Sequence, residues 1–444
     1  MKLSLASIIL LAVLAVIGVY VYQNYASGLY YMAGRYDWMM NPYGVDPDAP
    51  EPTAGDTSFH RSMFIADLHA DTLKWERDLL NRSMFGHVDV PRLAQGNVAL
   101  QVFTIVTKSP LNLPWNSCVS ARSPDTNTLL FFMQGRPVAG LRERAMYQIE
   151  RFKDAVARSR EPGSEIELRL ILDASDLMQL VADRMQGDQV IGGILGVEGG
   201  HWIGGPGAST EDVRADMQEL FDAGVRQFAP THRFDNTLSG SNEGCSRYGL
   251  TRHGEVAVQT AQELGMVVDL AHISQQGLRD SIALLDQPFN ISHTGIRHAC
   301  DPPCVPDRNL DDDDIREIVR NDGIIGVGYW PQAVGPSVWR IADVMQHIMD
   351  LAEEEGVDQP QHHVALGSDY DGSVTPMIEV SHLDVLTAIT RRRDQPFHPE
   401  VTRDIFGRNA CRLFATVLPG GDPDFARDLC GQLQHAPAAP VPED

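Results

Sequence analysis

Short apolar segments rich in β-branched residues alternate along most of the chain with longer stretches of helical periodicity. Strands and helices that alternate in this way form a parallel sheet covered by helices. Because eight such segments occur, the pattern predicts an α/β protein of the (β/α)8 TIM-barrel class. The predicted strands are Phe64–Asp71, Val98–Thr107, Ile191–Glu198, Val225–His232, Met266–Ile273, Pro288–His293, Gly323–Trp330 and His363–Asp369.

Helical periodicity is readable in several of the connections between these strands, for example over Thr210–Ala223 and Asp311–Asn321. The connection from Lys108 to Val190 is far longer than one crossover helix requires. We therefore expect it to hold additional helices, Glu143–Arg160 and Ala174–Met185 among them, or a cap over one face of the barrel.

The N-terminal residues predict a membrane attachment. An uncharged apolar run from Leu3 to Tyr22 has the length of a membrane-spanning helix, and no clear cleavage site follows it. We expect an uncleaved signal anchor over residues 1–26, a linker over 27–58, a barrel domain over 59–434 and a disordered tail over 435–444. The folded body would then face the periplasm or the cell exterior.

Charge and cysteine content exclude some classes of partner and site. The formal net charge of -24, without a basic stripe, argues against nucleic acid as a partner. The cysteines lack the spacing of a structural zinc site and favour disulfides outside the cytosol, with the pairing left open. They are Cys118, Cys245, Cys300, Cys304, Cys411 and Cys430.

Metal-binding residue types fall at the ends of the predicted strands, where barrel active sites form. Residues two apart on a strand point the same way, so Asp67, His69 and Asp71 share one face. Histidines and carboxylates of this kind suit Zn²⁺, and Glu198 is the candidate carboxylate to bridge two ions. The residues are His69, Asp71, Glu198, His232, His272, His293 and Asp369.

Any one of these residues alone is explained as well by a structural role, since lone histidines are often hydrogen-bonded core residues and lone aspartates are often helix caps. The joint pattern at one end of the strands favours a metal site. A further set of histidines is expected at surface or structural positions: His60, His87, His201, His253, His298, His362, His363 and His398.

The strand ends resemble those of the zinc metallo-dipeptidases typified by renal membrane dipeptidase. The order and spacing of the similar segments cover Phe64 to about Leu413. These segments are Ile65–Asp71, Val88–Leu93, Gly196–His201, Thr231–His232 with Asn236, Asp269–Ser274, Ile291–His293, Asp307–Leu310 and Gly367–Gly372.

The resemblance implies a TIM barrel of the metal-dependent hydrolase type. It also implies a dipeptidase with two Zn²⁺ ions bridged by Glu198 and by a hydroxide that attacks the peptide bond. It implies that His69 and Asp71 bind one ion and that His272 and His293 bind the other. The substrate would be a small peptide with a free C-terminal carboxylate. His232 is implied to contact the substrate carbonyl, Asp369 to transfer protons and Arg308 to hold the carboxylate.

Other functions stay open at this point. The same barrel site could hydrolyse another small amide, a lactam or an ester, or the chain could be a catalytically silent, membrane-tethered binding protein. The segment between His293 and Arg308 is longer than the usual family spacing, and the insertion at Lys108–Val190 is expected to reshape the pocket rim. Substrate side-chain preference and pairing of two copies as a homodimer are also open.

Overall fold

The computed structural model describes residues 5–109, 111, 125–299 and 306–435. The strands of this part of the chain, numbered in order, are β1 Ile65–Ala70, β2 Val98–Val106, β3 Glu167–Leu170, β4 Val190–Glu198, β5 Val225–Ala229, β6 Val267–Val268, β7 Asn290–Thr294, β8 Ile324–Val327 and β9 Val364–Leu366. The helices are α1 Leu5–Met40, α2 Ala54–Arg61, α3 Val90–Gln95, α4 Thr126–Met133, α5 Leu141–Arg158, α6 Ala174–Gln186, α7 Thr210–Asp222, α8 Arg252–Leu264, α9 Gln275–Ile282, α10 Asp312–Arg320, α11 Pro331–Val334, α12 Arg340–Glu354, α13 Asp384–Arg392, α14 Pro399–Arg403, α15 Asn409–Val417 and α16 Pro423–Gly431.

The strands form one parallel sheet in the order β6-β5-β4-β2-β1-β9-β8-β7. A parallel bridge between Asp269 and Asn290 joins the loop after β6 to the start of β7, so the two edges of the sheet meet. The sheet is therefore curled into a barrel, and its eight strands are the eight that the sequence predicts. All residues of β2 and β4 are buried, as expected for strands that side chains cover on both faces.

The long connection between β2 and β4 contains the predicted helices as α5 and α6. It also contains β3, which the sequence did not predict and which pairs with β4 outside the ring of eight, Glu167 opposite Val190. Local signals set the helix ends elsewhere. The side chain of Asp311, for example, accepts a hydrogen bond from the backbone N–H of Asp314 at 2.9 Å and caps the start of α10.

The N-terminal helix α1 continues through part of the predicted linker as far as Met40. Within the described part of the chain, no helix combines the length and the apolar character needed to cross a bilayer. This finding gives no support to the predicted transmembrane anchor at Leu3–Tyr22. Of the predicted C-terminal tail, residues 436–444 lie outside the described residues.

A disulfide between Cys411 and Cys430 joins α15 to α16, with the two Cα atoms 5.9 Å apart. The sequence had left this pairing open. Cys118, Cys300 and Cys304 lie outside the described residues.

Candidate metal centre

The residues at the predicted strand ends gather at the carboxyl end of the barrel. His69 and His293 lie within β1 and β7, and Glu198 is the last residue of β4. The remaining four lie in the loops that follow strands, and these are Asp71, His232, His272 and Asp369. All seven are buried.

The Oε1 oxygen of Glu198 is the point where these side chains converge. The Nε2 atoms of His272 and His293 lie 3.0 and 3.4 Å from it, and Nε2 of His69 lies 3.6 Å from it. The other carboxylate oxygen, Oε2, faces Nε2 of His232 at 3.4 Å. One carboxylate thus contacts imidazoles from four different strand ends.

Two buried clusters share Glu198. One consists of His69, Asp71 and Glu198, and the other of Glu198, His232 and His272; within each, the potential ligand atoms lie within 4.8 Å of one another. His69 also lies 3.3 Å from Oδ1 of Asp71 and 3.9 Å from Oδ1 of Asp369. A carboxylate common to two such groups is the arrangement expected of a two-metal site.

Hydrogen bonds at the far ring nitrogens fix the orientation of the imidazoles. The Ser292 hydroxyl lies 3.1 Å from Nδ1 of His69 and 2.9 Å from Nδ1 of His293. Nδ1 of His272 lies 3.2 Å from Oε2 of Glu243. Because Nδ1 is engaged in each ring, Nε2 is the nitrogen that points at Glu198, which is how metal-binding histidines are usually held.

His232 has the same orientation for a different reason. Its Nδ1 lies 3.1 Å from the backbone carbonyl oxygen of Lys108, which can only accept a hydrogen bond. Nδ1 therefore carries the proton in the neutral ring. Nε2, facing Glu198, presents a lone pair.

The protein balances the negative charges of the buried carboxylates in this cluster only in part. Burial and the neighbouring Asp71 carboxylate hold the pKa of Glu198 well above its usual range. Burial also raises the pKa of Asp369 to about 7. Burial lowers the pKa of His272 and of His293 far below the ordinary value, so both rings are neutral. Neutral imidazoles beside crowded carboxylates are the donors that a divalent cation requires.

His69 behaves differently from the other histidines. Burial alone would lower its pKa, but the surrounding carboxylates, Glu198 first among them, raise the pKa of His69 to about 10. The proton held on this ring thus supplies positive charge among the carboxylates. In addition, Oε2 of Glu198 is buried and has no hydrogen-bond partner among the described residues. Both observations fit a site built to hold positive charge between these side chains.

The backbone is strained at two positions of the site. His272 and Asp369 have φ values of 62° and 56°, in the left-handed region that residues with a Cβ atom rarely adopt. Such strain persists only where the surrounding structure imposes it, and it is concentrated at functional sites.

A cavity of about 160 Å³ opens above the cluster. Arg308, which only the family resemblance had indicated, lies in its wall and donates a hydrogen bond from Nη2 to the carbonyl oxygen of His293 at 2.8 Å. Arg308 forms no ion pair with a described residue, and its Nη1 also donates to the Thr294 hydroxyl. The lining also includes Tyr36, Met40, Lys74, Trp75, Asn127, Arg233 and Trp330.

Sequence reasoning missed the residues that support the ligands. Glu243 lies in a polar loop without periodicity, and no local pattern indicates that it reaches His272. Ser292 directly precedes His293, and that position on a predicted strand end was the one available signal. The histidines expected to be structural include His60 and His87, both buried and hydrogen-bonded to backbone carbonyl oxygens, of Gly96 and Pro42 respectively.

Known proteins share this fold. The metallopeptidase dipeptidase AC matches with a TM-score of 0.61 at 20% identity, over 80% of this chain and 99% of that one. A metallopeptidase from Rhodobacter sphaeroides, solved with a phosphinate mimic of the dipeptide L-Ala-D-Ala, matches with a TM-score of 0.58 at 20% identity and the same coverage. At this identity the likeness concerns the fold.

Sequence relatives extend the comparison. An uncharacterized dipeptidase of Schizosaccharomyces pombe is 26% identical over 354 residues, which are 77% of this chain and 77% of that protein. The family described as membrane dipeptidase, peptidase family M19, matches residues 56–418. This match runs from α2 through every strand of the barrel to the end of α15, and the chain therefore belongs to the membrane dipeptidase family, peptidase family M19.

Proposed function

We propose that the protein hydrolyses the peptide bond of dipeptides that have a free C-terminal carboxylate. The observation that carries the proposal is the Glu198 carboxylate shared by two buried clusters, directly below a cavity of about 160 Å³. A cavity of this size admits a small substrate. The solved relative from Rhodobacter sphaeroides was crystallised with a dipeptide mimic, which supports the same substrate class.

The side chains of the centre fit two divalent ions, and we propose Zn²⁺. His69 and Asp71 would hold one ion, His272 and His293 the other, and Glu198 would bridge them. Support comes from the neutral buried imidazoles and from the unpartnered Oε2 of Glu198. Bound there, the ions supply Lewis acidity for the attacking water and for the peptide carbonyl.

Asp369 is the proposed proton carrier. Its carboxylate lies within 3.9 Å of the His69 ring and lines the cavity, and burial raises the pKa of Asp369 to about 7. A carboxylate with a pKa near neutrality both accepts and releases a proton readily. Asp369 would take the proton of the attacking water and deliver it to the leaving amine.

His232 would stabilise the negative charge that develops on the carbonyl oxygen. Since its Nδ1 already donates to the Lys108 carbonyl, Nε2 can donate only when the ring carries a second proton. Burial and the nearby His272 hold the pKa of His232 well below its usual range in the free protein. The ring would therefore take up this second proton from the solvent on substrate binding, and the developing oxyanion would supply the attraction that retains it.

Arg308 would bind the C-terminal carboxylate of the substrate. It is buried in the cavity wall without an ion-pair partner among the described residues, and its guanidinium donates to the Thr294 hydroxyl and the His293 carbonyl oxygen of β7. A planar guanidinium is suited to bidentate binding of a carboxylate. This contact would fix the scissile bond above the metal centre.

The activity is tested by measuring metal content together with turnover. Purified protein should contain two divalent ions per chain and cleave free dipeptides, and a chelator should abolish cleavage until Zn²⁺ is restored. Protein that stays free of metal after addition of Zn²⁺, or that cleaves no dipeptide in its metal-loaded form, would contradict the proposal.

We also propose that the catalytic body lies outside the cytosol, in the periplasm or at the cell exterior. The disulfide between Cys411 and Cys430 supports an oxidising compartment. Attachment through the run Leu3–Tyr22 remains a prediction from the sequence. Membrane fractionation followed by N-terminal sequencing tests it, and soluble protein that begins after Ala26 would show a cleaved leader instead.

A further inference from the structure

The C-terminal turns of α1 pack against the rim of the active-site cavity. Ala33 and Asp37 of α1 and Asn41 directly after it are spaced four residues apart and are all buried, so they follow one side of the helix. Among the side chains that the structure describes earlier in α1, most are exposed, and Tyr31, for example, is 69% exposed. The buried residues of α1 in this described set thus lie in its last turns.

A buried ion-pair chain makes this attachment specific. Oδ2 of Asp37 lies 3.0 Å from Nε of Arg77, and Nη2 of Arg77 lies 2.7 Å from Oδ1 of Asp371. Arg77 follows Asp71 in the loop after β1, and Asp371 lies two residues beyond Asp369 in the loop after β9. The chain of charges therefore connects α1 to two loops that carry side chains of the metal centre.

Asn41 provides a second connection to the same loop. Its amide donates to Oδ1 of Asp37 at 2.8 Å, and its side-chain oxygen accepts a hydrogen bond from the backbone N–H of Ser373 at 3.0 Å. Together these hydrogen bonds, the first buried and the second partly buried, fix the end of the helix in one register against the barrel.

In this register two side chains of α1 reach the cavity. Tyr36 and Met40, one helical turn apart, line it together with Asp71 and Asp369. The Tyr36 ring lies 6.1 Å from the ring of Trp75, and the Trp75 indole donates to the backbone oxygen of Asp371 at 2.8 Å. An aromatic and a thioether side chain thus form an apolar section of a wall that is otherwise rich in charge.

We propose that Tyr36 and Met40 form the wall of the subsite for the side chain of the substrate's N-terminal residue. The inference rests on the proposed function. Arg308, after β7, holds the C-terminal carboxylate, so the N-terminal residue extends from the scissile carbonyl in another direction. The α1 helix borders the loops after β1 and β9, whereas Arg308 follows β7, and β8 separates β9 from β7 in the sheet. The α1 side of the cavity is therefore the side available to the N-terminal residue.

The proposal makes α1 a determinant of substrate choice. Apolar pockets discriminate between side chains through the space that they leave, and one or a few methylene groups change relative rates by roughly 10- to 200-fold. Replacing Tyr36 or Met40 with alanine enlarges the subsite. The kcat/KM for dipeptides with a bulky N-terminal residue should therefore rise relative to the kcat/KM for Ala-Ala.

The test uses the full chain in its metal-loaded form and two series of dipeptides. In Tyr36→Ala and Met40→Ala, the ratio of kcat/KM for Phe-Ala to kcat/KM for Ala-Ala should rise about tenfold or more. The ratio of Ala-Phe to Ala-Ala should stay unchanged. Tyr31→Ala and Met39→Ala, exposed positions on the same helix, are the matched controls and should leave both ratios as in the wild type.

Tyr36→Phe retains the ring and should retain the wild-type ratios, which separates loss of the wall from misfolding. Unchanged ratios in both alanine variants, or a change in the Ala-Phe series alone, would overturn the subsite assignment while the dipeptidase activity stands. Wild-type protein that cleaves no dipeptide and binds no phosphinate dipeptide mimic in calorimetry would overturn the proposed function and the subsite together.

Discussion

Oε2 of Glu243 lies 3.2 Å from Nδ1 of His272, although the two residues belong to different loops. The Glu243 side chain also accepts from Nε of Arg233 at 3.1 Å. The carboxylate accepts from both partners and so holds the proton of His272 on Nδ1, which leaves Nε2 to face Glu198. Glu243 thus determines the direction in which His272 can bind a metal.

Replacing Glu243 with glutamine should weaken metal binding. The amide has no charge to hold the imidazole proton, and loss of such a supporting contact lowers metal affinity by about 10- to 100-fold. Competition with a chelator of known affinity measures the effect. Glu263→Gln, at an exposed position, is the control, and equal affinities in the two variants would contradict the role given to Glu243.

Metal stoichiometry should separate Glu198 from His232. Because Glu198 contacts both clusters, Glu198→Ala should lose both ions, whereas His232→Ala should retain them and lose turnover. Elemental analysis and steady-state rates measure the two effects. Loss of an ion from His232→Ala would instead show that His232 is a ligand, as its position in the second cluster permits.

Asp371 should contribute stability that depends on pH. Burial opposes its ionisation, but the Arg77 charge and hydrogen bonds lower the pKa of Asp371 from 3.8 to about 2. A lowered pKa in the folded state means that the contribution is complete above about pH 4 and is lost as pH falls towards 2. By linkage, a shift of this size corresponds to about 2 kcal/mol.

Chemical unfolding of Asp371→Asn and wild type from pH 7 down to pH 2 tests this dependence. The difference in free energy of unfolding should be constant above about pH 4 and should decrease below it. Asp424→Asn, whose carboxylate is exposed, should match the wild type throughout. A difference that is independent of pH would show that Asp371 stabilises the fold through packing alone.

The disulfide should stabilise the C-terminal helices. Cys411 and Cys430 are 19 residues apart, and closing a loop of about this length stabilises a protein by about 3 kcal/mol in the chain-entropy account. Cys411→Ser with Cys430→Ser should lower the free energy of unfolding by that order, as measured in denaturant. Equal stability of wild-type protein with and without reductant would contradict this expectation.

The sequence was sufficient for the eight strands of the ring because each is a buried apolar run, and six of the predicted strands also carry a candidate metal-site residue at their C-terminal end. It was insufficient for β3, a four-residue strand in which glutamate and arginine alternate with leucine and which joins the sheet only by pairing with β4. Short half-exposed strands have no distinctive period, so tertiary pairing decides them.

The same division applies to the site. The candidate metal ligands carry a local signal, because each is a metal-binding residue type at the end of a predicted strand. Glu243, Arg77 and Asp37 carry none, because each acts through a partner that lies far away in sequence. The packing of α1 on the rim of the cavity is likewise not predictable from local sequence. The apolar run predicts a membrane segment and gives no information about the buried polar residues Asp37 and Asn41 that follow it.

The charge of the substrate's carboxyl group should decide whether it is cleaved. Free dipeptides should be hydrolysed, and the same dipeptides with an amidated C-terminus should be rejected, because the amide leaves the buried Arg308 guanidinium without an anionic partner. Loss of a buried, hydrogen-bonded charge pair costs about 2 to 5 kcal/mol, which corresponds to a reduction in kcat/KM of at least about 30-fold.

Two variants separate carboxylate binding from proton transfer. In Arg308→Ala the discrimination between free and amidated dipeptides should disappear, with KM raised and metal content intact. Asp369→Asn should instead lower kcat and keep the discrimination, since Asp369 acts on protons and makes no contact with the carboxylate in this account. If wild-type protein cleaves free and amidated dipeptides at equal rates, Arg308 does not bind the substrate carboxylate, and the substrate has to be sought among other small amides.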